Sequence, residues 1–157
     1  MKAYSIYYNS PIGIMEIVST KESILSIEFV HKENFVSEVP YILKKAYIQL
    51  EEYFQGKRKK FDLSLYLQGT DFQKKVWSAL MEIGYGKVVS YKDIAKAIGN
   101  EKAARGVGNA NNQNKIPIVI PCHRVIGSNG KLTGYEGGLW RKEWLIEHEK
   151  KFMGKTT

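Results

Sequence analysis

The residues best suited to chemistry are a cysteine and the histidine that follows it. Cys122 is the only cysteine among 157 residues, and His123 and Arg124 come directly after it. A thiol is only slightly ionised at neutral pH, and a nearby imidazole oriented by a carboxylate is the usual means of making it nucleophilic. An apolar, strand-like run over 116–121 leads to Cys122. Neighbouring side chains on an extended segment point apart, so His123 is expected to act through a water or after a turn.

An acidic partner for His123 does not lie next to it in the sequence. Glu143, Glu147 and Glu149 of a predicted final helix could each orient the imidazole, and spacing alone does not choose among them. The alternative is that Cys122 is a small buried apolar residue, the usual state of a lone cysteine. One cysteine cannot form an internal disulfide, and with three histidines in the chain a zinc site is not expected. We expect no metal and no cofactor.

The positive charge of the chain is concentrated in its second half. Residues 1–70 contain nine lysines and arginines against eight acidic residues, whereas residues 71–157 contain fifteen against eight. Such a basic region suits a polyanion such as nucleic acid, although a basic surface also serves solubility. The longest apolar run is too short to cross a membrane, and the first residues lack the apolar core of a signal peptide. A cytoplasmic protein with no membrane partner is expected.

The first half of the chain is predicted to form a small α/β unit. Alternating apolar residues and turn residues indicate an antiparallel meander of three strands, over 3–8, 14–19 and 24–30. An apolar stripe at helical spacing predicts a helix over 41–54, and alternation over 61–67 predicts another strand. No motif in this half points to chemistry.

Helices dominate the predictions for the second half. Thr70 and Gln73 have the spacing of a capping box, and an apolar helical face follows them and ends near Gly84. Ser90 and Asp93 repeat this pattern before a short helix.

A second short helix is predicted from Glu101 to about Ala110, with Asn100 as its cap. Together the two short helices form a candidate helix-turn-helix, of the kind that places its second helix in a DNA groove. The second helix has a smooth face with Arg105 as its long cation. The small residues of that face are Ala103, Ala104, Gly106, Gly108 and Ala110. The alternative is a tight helix pair within a core.

These motifs together resemble those of one family. The matching residues are Thr70–Gln73, Val89–Tyr91, Ala103–Arg105, Asn114, Ile120–Val125, Gly134 and Tyr135, Gly137–Leu139 and Lys142–Leu145. In this order and spacing they resemble the O6-alkylguanine-DNA alkyltransferases, the methylated-DNA–protein-cysteine methyltransferases, over residues 70–149. The resemblance implies an α/β (α+β) fold with two domains. An amino-terminal ribonuclease H-like domain, with an antiparallel sheet and a helix, would span 1–68, and a mainly helical domain with a helix-turn-helix would span 69–157.

The resemblance implies DNA repair by transfer of an alkyl group from O6 of guanine to Cys122, with O4-alkylthymine as a second candidate substrate. His123 would pass the thiol proton through a water toward Glu149. Asn114 would brace the turn that carries the motif, and Tyr91 would donate to N3 of the departing purine. No group in the sequence would hydrolyse the resulting thioether, so each molecule is expected to act once.

The resemblance also implies a pocket and a surface for double-stranded DNA. The pocket residues are Val125, Tyr135, Glu136 and Gly137, with the carbonyls of Cys122 and Val125 accepting from the exocyclic amine and the backbone N–H of Glu136 facing O6. The DNA-binding residues are Ser90, Tyr91, Ala104, Arg105, Gly106, Gly108 and Arg124. A base must leave the duplex to meet a thiol, and Arg105 would enter the vacated stack from the minor groove. The expected protein is a monomer.

Three other classes of protein compete with this interpretation. A non-catalytic binder of damaged DNA would lack the nucleophile, and Cys122 argues against it. A cysteine hydrolase would use Cys122 and His123 as a dyad, for which direct adjacency is unsuitable. A plain helix-turn-helix regulator would need base-reading side chains on its second helix and a dimerisation element, and neither is evident.

Overall fold

The computed structural model describes residues 2–36 and 38–155. They fall into two units, one that ends at Leu67 and also takes in Lys155, and one that spans Gln68–Gly154. The domain boundary predicted after residue 68 lies within one residue of this division. The predicted α/β (α+β) class is confirmed. Within the described ranges, no helix is both long enough and apolar enough to span a bilayer.

The first unit is built on an antiparallel sheet. Its strands β1 (Tyr4–Ser10), β2 (Gly13–Ser19) and β3 (Ile24–Val30) pair in that order. Helix α1 (Tyr41–Phe54) packs against β1 and β2, and apolar side chains of the helix and the sheet form the core between them. The three strands and the helix lie where the alternation and the helical stripe predict them.

Residues 61–67 do not form the predicted strand. Within the described chain, Leu65 makes one isolated parallel bridge to Ile24. Ile24 donates to the carbonyl of Ser64 at 2.8 Å and accepts from the N–H of Tyr66 at 2.9 Å. Alternation of apolar residues reports an extended, half-buried segment, whereas a ladder also needs a partner edge along its length. Here the segment meets the edge of β3 at a single point.

The second unit is mainly helical. Its helices are α2 (Asp71–Met81), α3 (Tyr91–Ala97), α4 (Ala104–Asn112) and α5 (Leu139–Phe152). Both predicted capping boxes are present: Thr70 pairs with Gln73 at the start of α2, and Ser90 pairs with Asp93 at the start of α3. Each box satisfies backbone donors that the first helical turn leaves without partners. The apolar face of α2 is buried, as its spacing predicts.

Helix α4 begins later than predicted, and Asn100 does not cap it. Gly99 has a left-handed φ of 78°, and the N–H of Asn100 donates to the carbonyl of Ala95 at 2.9 Å, which closes the end of α3. The carbonyl of Asn100 accepts from the N–H of Ala103, so this residue belongs to the turn between the helices. α3 and α4 still pack against each other, with a longer turn than the sequence indicates.

A short parallel pair of strands joins two parts of the second unit. β4 (Val89–Ser90) pairs with β5 (Val125–Ile126), which follows directly after a turn of 3-10 helix over Cys122–Arg124. β4 leads directly into Tyr91 at the start of α3. The pairing therefore holds the start of α3 close to the turn that carries the cysteine.

Candidate active site

The segment that leads to Cys122 is a turn and not the predicted strand. Ile118 is buried and has a left-handed φ of 74°, which is uncommon for a β-branched residue and costs about 1–3 kcal/mol. The buried side chain of Asn114 holds both ends of the turn. Its Nδ2 donates to the carbonyl of Ile120 at 2.8 Å, and its Oδ1 accepts from the N–H of Ile116 at 2.9 Å. These bonds fix the backbone of the turn directly before Cys122.

Cys122 lies inside the protein, with 5% of its surface exposed. It begins the 3-10 turn, and its N–H donates to the carbonyl of Ile120 at 2.7 Å. Burial raises the pKa of Cys122 to about 11, while the Asn114 side chain and the positive charge of Lys142 act in the opposite direction. The thiol is therefore protonated at neutral pH and needs a base when it reacts.

A buried cluster of three charged or titratable side chains lies behind the cysteine. His123 Nε2 is 2.6 Å from Glu149 Oε2, and Arg124 donates to both carboxylate oxygens, through Nε at 2.8 Å and Nη2 at 3.1 Å. The N–H of Gly86 donates to Glu149 Oε1 at 3.1 Å, and Arg124 Nη1 donates to the carbonyl of Ile83 at 2.6 Å. Glu149 thus accepts four hydrogen bonds from these groups.

The cluster sets the tautomer of His123. Burial alone would raise the pKa of Glu149, but the hydrogen bonds from His123 and Arg124 and the positive charge of Arg124 outweigh it and hold that pKa well below the usual range. Burial lowers the pKa of His123, so its ring is neutral at pH 7. Because the carboxylate only accepts, Nε2 carries the hydrogen and Nδ1 keeps a free lone pair. Within the described chain, His123 Nδ1 is buried and has no hydrogen-bond partner.

The structure distinguishes the three candidate carboxylates. Glu149 is buried against His123, whereas Glu143 and Glu147 are exposed on other faces of the same helix.

The structure corrects the prediction that the Arg124 side chain contacts DNA. Arg124 is buried, and its guanidinium is used by Glu149 and by the carbonyl of Ile83. Arg124 therefore binds the Glu149 carboxylate inside the protein.

Tyr91 lies at the start of α3, where the capping box and β4 position it. Its hydroxyl donates to the carbonyl of Thr133 at 3.1 Å and accepts from Thr133 Oγ1 at 3.1 Å. Lys142 Nζ donates to the same carbonyl at 2.6 Å and lies 5.9 Å from the centre of the Tyr91 ring. The loop between β5 and α5 is thus held against Tyr91. Gly108 of α4 also faces the Tyr91 ring.

Lys142 belongs to the Lys142–Leu145 motif, but it is not among the site residues that the sequence predicts. Its side chain is fully buried, and burial lowers its pKa to about 8, with the charge of Cys122 acting in the opposite direction. The sequence does contain a pattern that indicates the burial of Lys142. Lys142, Leu145, Ile146 and Glu149 recur at helical spacing on one face of α5, so a lysine and a glutamate share the apolar face. Charged residues on such a face are rarely buried unless they are paired.

The four predicted pocket residues differ in burial, and the charges of two of them, Tyr135 and Glu136, interact with that of Cys122. Val125 is buried in β5, and the Tyr135 hydroxyl is buried with no partner within residues 2–36 and 38–155. Burial raises the pKa of Tyr135 well above its usual value, and the charge of Cys122 adds to this effect. Glu136 is exposed but raises the pKa of Cys122 through its charge. The carbonyl of Gly137 accepts from Arg141 Nη1 at 2.8 Å.

The carbonyl of Cys122 does not stand free for an exocyclic amine, in contrast to the sequence-based expectation. It accepts from the N–H of Val125 and from Asn111 Nδ2 at 3.3 Å. A carbonyl oxygen has two lone pairs, so both are in use. Asn111, which is buried, would have to release this carbonyl before a base could bind there.

The faces of α4 divide into an inner and an outer side. Arg105 is exposed, and Ala104 is half-buried. A Cβ atom at Gly106 would lie 3.2 Å from Phe72 Cζ, so the small residue at that position serves packing against α2. Gly106 is half-buried, and its place on the DNA-binding face stays a prediction. The Ser90 side chain accepts from the N–H of Asp93.

The arrangement can do thiol chemistry without a metal ligand set. Within the described ranges, no three His, Cys, Asp or Glu side chains come together as metal ligands would. What the site does bring together is one thiol, one neutral imidazole with a free nitrogen, and one ionised carboxylate. This is the set of groups that activates a nucleophilic cysteine.

Comparisons with known proteins agree over most of the chain. Residues 71–151 match the DNA-binding domain of 6-O-methylguanine DNA methyltransferase, and residues 3–67 match its ribonuclease-like domain. The methylated-DNA–protein-cysteine methyltransferase of Methanosarcina acetivorans is 47% identical over 153 residues, which cover 93% of this chain and 97% of that protein.

Solved structures agree with the sequence comparisons. The O6-methylguanine methyltransferase of Mycobacterium tuberculosis matches with a TM-score of 0.87 and 41% identity, covering 96% of this chain and 94% of that one. OGT from the same organism in complex with DNA matches with a TM-score of 0.86 and 43% identity, covering 96% and 93%. The chain therefore belongs to the 6-O-methylguanine DNA methyltransferase family, with the activity of a methylated-DNA–protein-cysteine methyltransferase that repairs DNA by alkyl transfer.

Proposed function

We propose that this chain moves the alkyl group of an O6-alkylguanine in double-stranded DNA onto Sγ of Cys122, once per molecule. The observation that carries the proposal is the buried Cys122 turn with its His123–Glu149 pair, in which one imidazole nitrogen is left as an acceptor. A similar protein from Mycobacterium tuberculosis has been crystallised with DNA, which supports the choice of substrate.

The first step is removal of the thiol proton. His123 Nδ1 takes it through a water, and the imidazolium that results is stabilised by the Glu149 carboxylate. Glu149 already accepts from Gly86 and Arg124 as well as His123, and its pKa is low. The proton therefore stays on the imidazole. The role of Glu149 is to orient the ring and to stabilise its positive charge.

The second step is an in-line displacement at the alkyl carbon. Sγ of Cys122 forms a bond to this carbon as the carbon–O6 bond breaks, and the electron pair of that bond goes to the purine. The Tyr91 hydroxyl donates a hydrogen bond to N3 and keeps its proton, and this bond relieves the negative charge that develops on the purine. Asn114 keeps the turn and hence the sulfur in place. The product is a thioether, whose carbon–sulfur bond is stable to water, so we expect one transfer per molecule.

The DNA partner is expected to meet the protein on the side of α4. The target base has to leave the stack, at a cost of a few kcal/mol that is smallest for a mispaired or damaged base. Arg105 is exposed on α4 and is proposed to fill the space that the base leaves. The minor groove carries little sequence information, which suits a protein that must find lesions in any context.

The Arg105→Ala variant tests the flipping step. We expect the rate of transfer from duplex DNA to fall at least about tenfold, because the vacated stack is no longer filled, while transfer from the free alkylated base stays near the wild-type rate. Single-turnover rates on the two substrates give the comparison, with the exposed Lys102→Ala as a matched loss of charge. An equal loss on both substrates would remove this role from Arg105.

The proposal as a whole is tested by intact mass measurement. The wild-type protein is mixed with excess DNA that carries a methyl-labelled O6-methylguanine. The intact mass of the protein is then measured, and the modified residue is located by peptide mapping. We expect a mass increase of one CH₂ unit on the peptide that contains Cys122, saturating at one per chain. Tight binding to the lesion without an adduct would instead make the protein a binder of damaged DNA. O4-alkylthymine DNA, tested in the same way, decides the second substrate.

The remaining proposals concern the oligomeric state and the cellular location of the protein. We expect it to act as a cytoplasmic monomer that reaches its substrate through DNA binding. Sedimentation with and without a short duplex would reveal a dimer if the chain needs one.

A further inference from the structure

We infer that Thr133 is a positioning residue for Tyr91, whose hydroxyl it orients toward the target base. The inference rests on the proposed function, in which Tyr91 donates to N3 of the departing purine. It concerns a residue of the loop between β5 and α5 that neither the sequence motifs nor the mechanism above uses.

The geometry joins Thr133 to Tyr91 twice. Tyr91 has one hydroxyl hydrogen, and in the free protein it points to the carbonyl oxygen of Thr133 at 3.1 Å. The side chain of Thr133 donates back to the Tyr91 oxygen, also at 3.1 Å. The phenol therefore uses its hydrogen and one of its lone pairs on a single residue.

When a base occupies the site, one of these two bonds has to change. The hydrogen of Tyr91 must turn from the Thr133 carbonyl to the purine nitrogen. The bond from Thr133 Oγ1 to the phenol oxygen does not have to break, since it uses a lone pair and not the hydrogen. A hydroxyl that accepts a hydrogen bond is a better donor, so this second bond also strengthens the contact of Tyr91 with the base.

Lys142 makes the exchange possible at low cost. Its ammonium donates to the Thr133 carbonyl at 2.6 Å, so this oxygen keeps a partner after the Tyr91 hydrogen leaves. A carbonyl without a partner in a partly buried site would oppose the exchange. The carbonyl thus serves as a resting acceptor for Tyr91, and the side chain hydroxyl serves as its permanent donor.

The test is the pair of variants Thr133→Val and Thr133→Ser, measured in single-turnover experiments at saturating duplex DNA. Valine keeps the shape and removes the hydroxyl, and we expect the rate of transfer to fall roughly two- to tenfold, as the loss of one hydrogen bond implies. Serine keeps the hydroxyl and should restore most of the rate. DNA affinity should be unchanged in both variants. Ser128→Ala, an exposed change in the same loop, is the matched control and should leave the rate unaltered.

A double-mutant cycle with Tyr91→Phe decides whether Thr133 acts through the phenol. We expect Thr133→Val to have no further effect on the rate of Tyr91→Phe. An equal loss in both backgrounds would overturn the inference, as would a Thr133→Val protein with the wild-type rate beside a slow Tyr91→Phe protein. If Tyr91→Phe itself transfers at the wild-type rate, the donor role of Tyr91 in the proposed function fails, and the inference fails with it. The two failures are thus distinguishable.

Discussion

Replacement of Cys122 by alanine or serine is expected to abolish alkyl transfer altogether. The chain has no second cysteine, so no other thiol can accept the group. A serine hydroxyl in the same position is a far weaker nucleophile, because it is not ionised to any useful extent by a neutral imidazole. The measurement is incorporation of label from methyl-labelled O6-methylguanine DNA.

The same variants should keep their affinity for DNA within a few-fold. Cys122 is buried, and the exposed cations of the second unit do not depend on the sulfur atom. The serine variant, which is close to cysteine in volume, controls for packing. A strong loss of binding or of the folded state in both variants would mean that Cys122 is chiefly a structural residue.

Replacement of Glu149 by glutamine is expected to lower the free energy of unfolding by about 3–5 kcal/mol, because the buried guanidinium of Arg124 loses its counter-charge. The rate of transfer should fall as well, since the imidazolium formed on His123 is no longer stabilised. Urea denaturation and single-turnover rates measure the two effects. Glu147→Gln removes the same charge from an exposed position of α5 and should change neither value appreciably.

Acid provides a second check on Glu149. Its pKa in the folded protein lies far below the ordinary glutamate value of 4.5, so its contribution to stability is fully present above that value. The contribution is lost as the pH falls toward the folded-state pKa. The stability difference between wild type and Glu149→Gln should therefore shrink as the pH falls below 4.5. A difference that does not depend on pH would show that the glutamine variant acts through packing alone.

The elements that the sequence predicts well are those with local causes. The capping box of Thr70 and Gln73 joins groups only three residues apart, so its geometry follows from the chain itself. The stripe of α1 and the alternation of β1 to β3 each describe one buried face. In contrast, residues 61–67 carry the same alternation but find only one point of contact on a sheet edge, which no local pattern records.

Part of the candidate active site could be predicted from the sequence. The adjacency of Cys122 and His123 points to an activated thiol, but spacing leaves three glutamates open, and the burial of Glu149 depends on how α5 packs. Arg124 has the residue type of a DNA contact, and only its burial against Glu149 assigns it to the interior. Thr133 carries no local signal, because its role depends on a loop that meets a helix 42 residues earlier in the chain.

The burial of the His123–Arg124–Glu149 cluster has a consequence for ionic strength. These side chains lie inside the second unit, where dissolved ions cannot screen them, whereas Arg105, which is proposed to meet DNA, is exposed to the solvent. Each phosphate contact releases counter-ions, so added salt weakens DNA binding steeply. The rate of transfer within the bound complex should stay nearly constant over the same range. Salt therefore separates recognition of the lesion from the chemical step, and a change in salt concentration inside a cell would alter how often repair starts and not how fast it finishes.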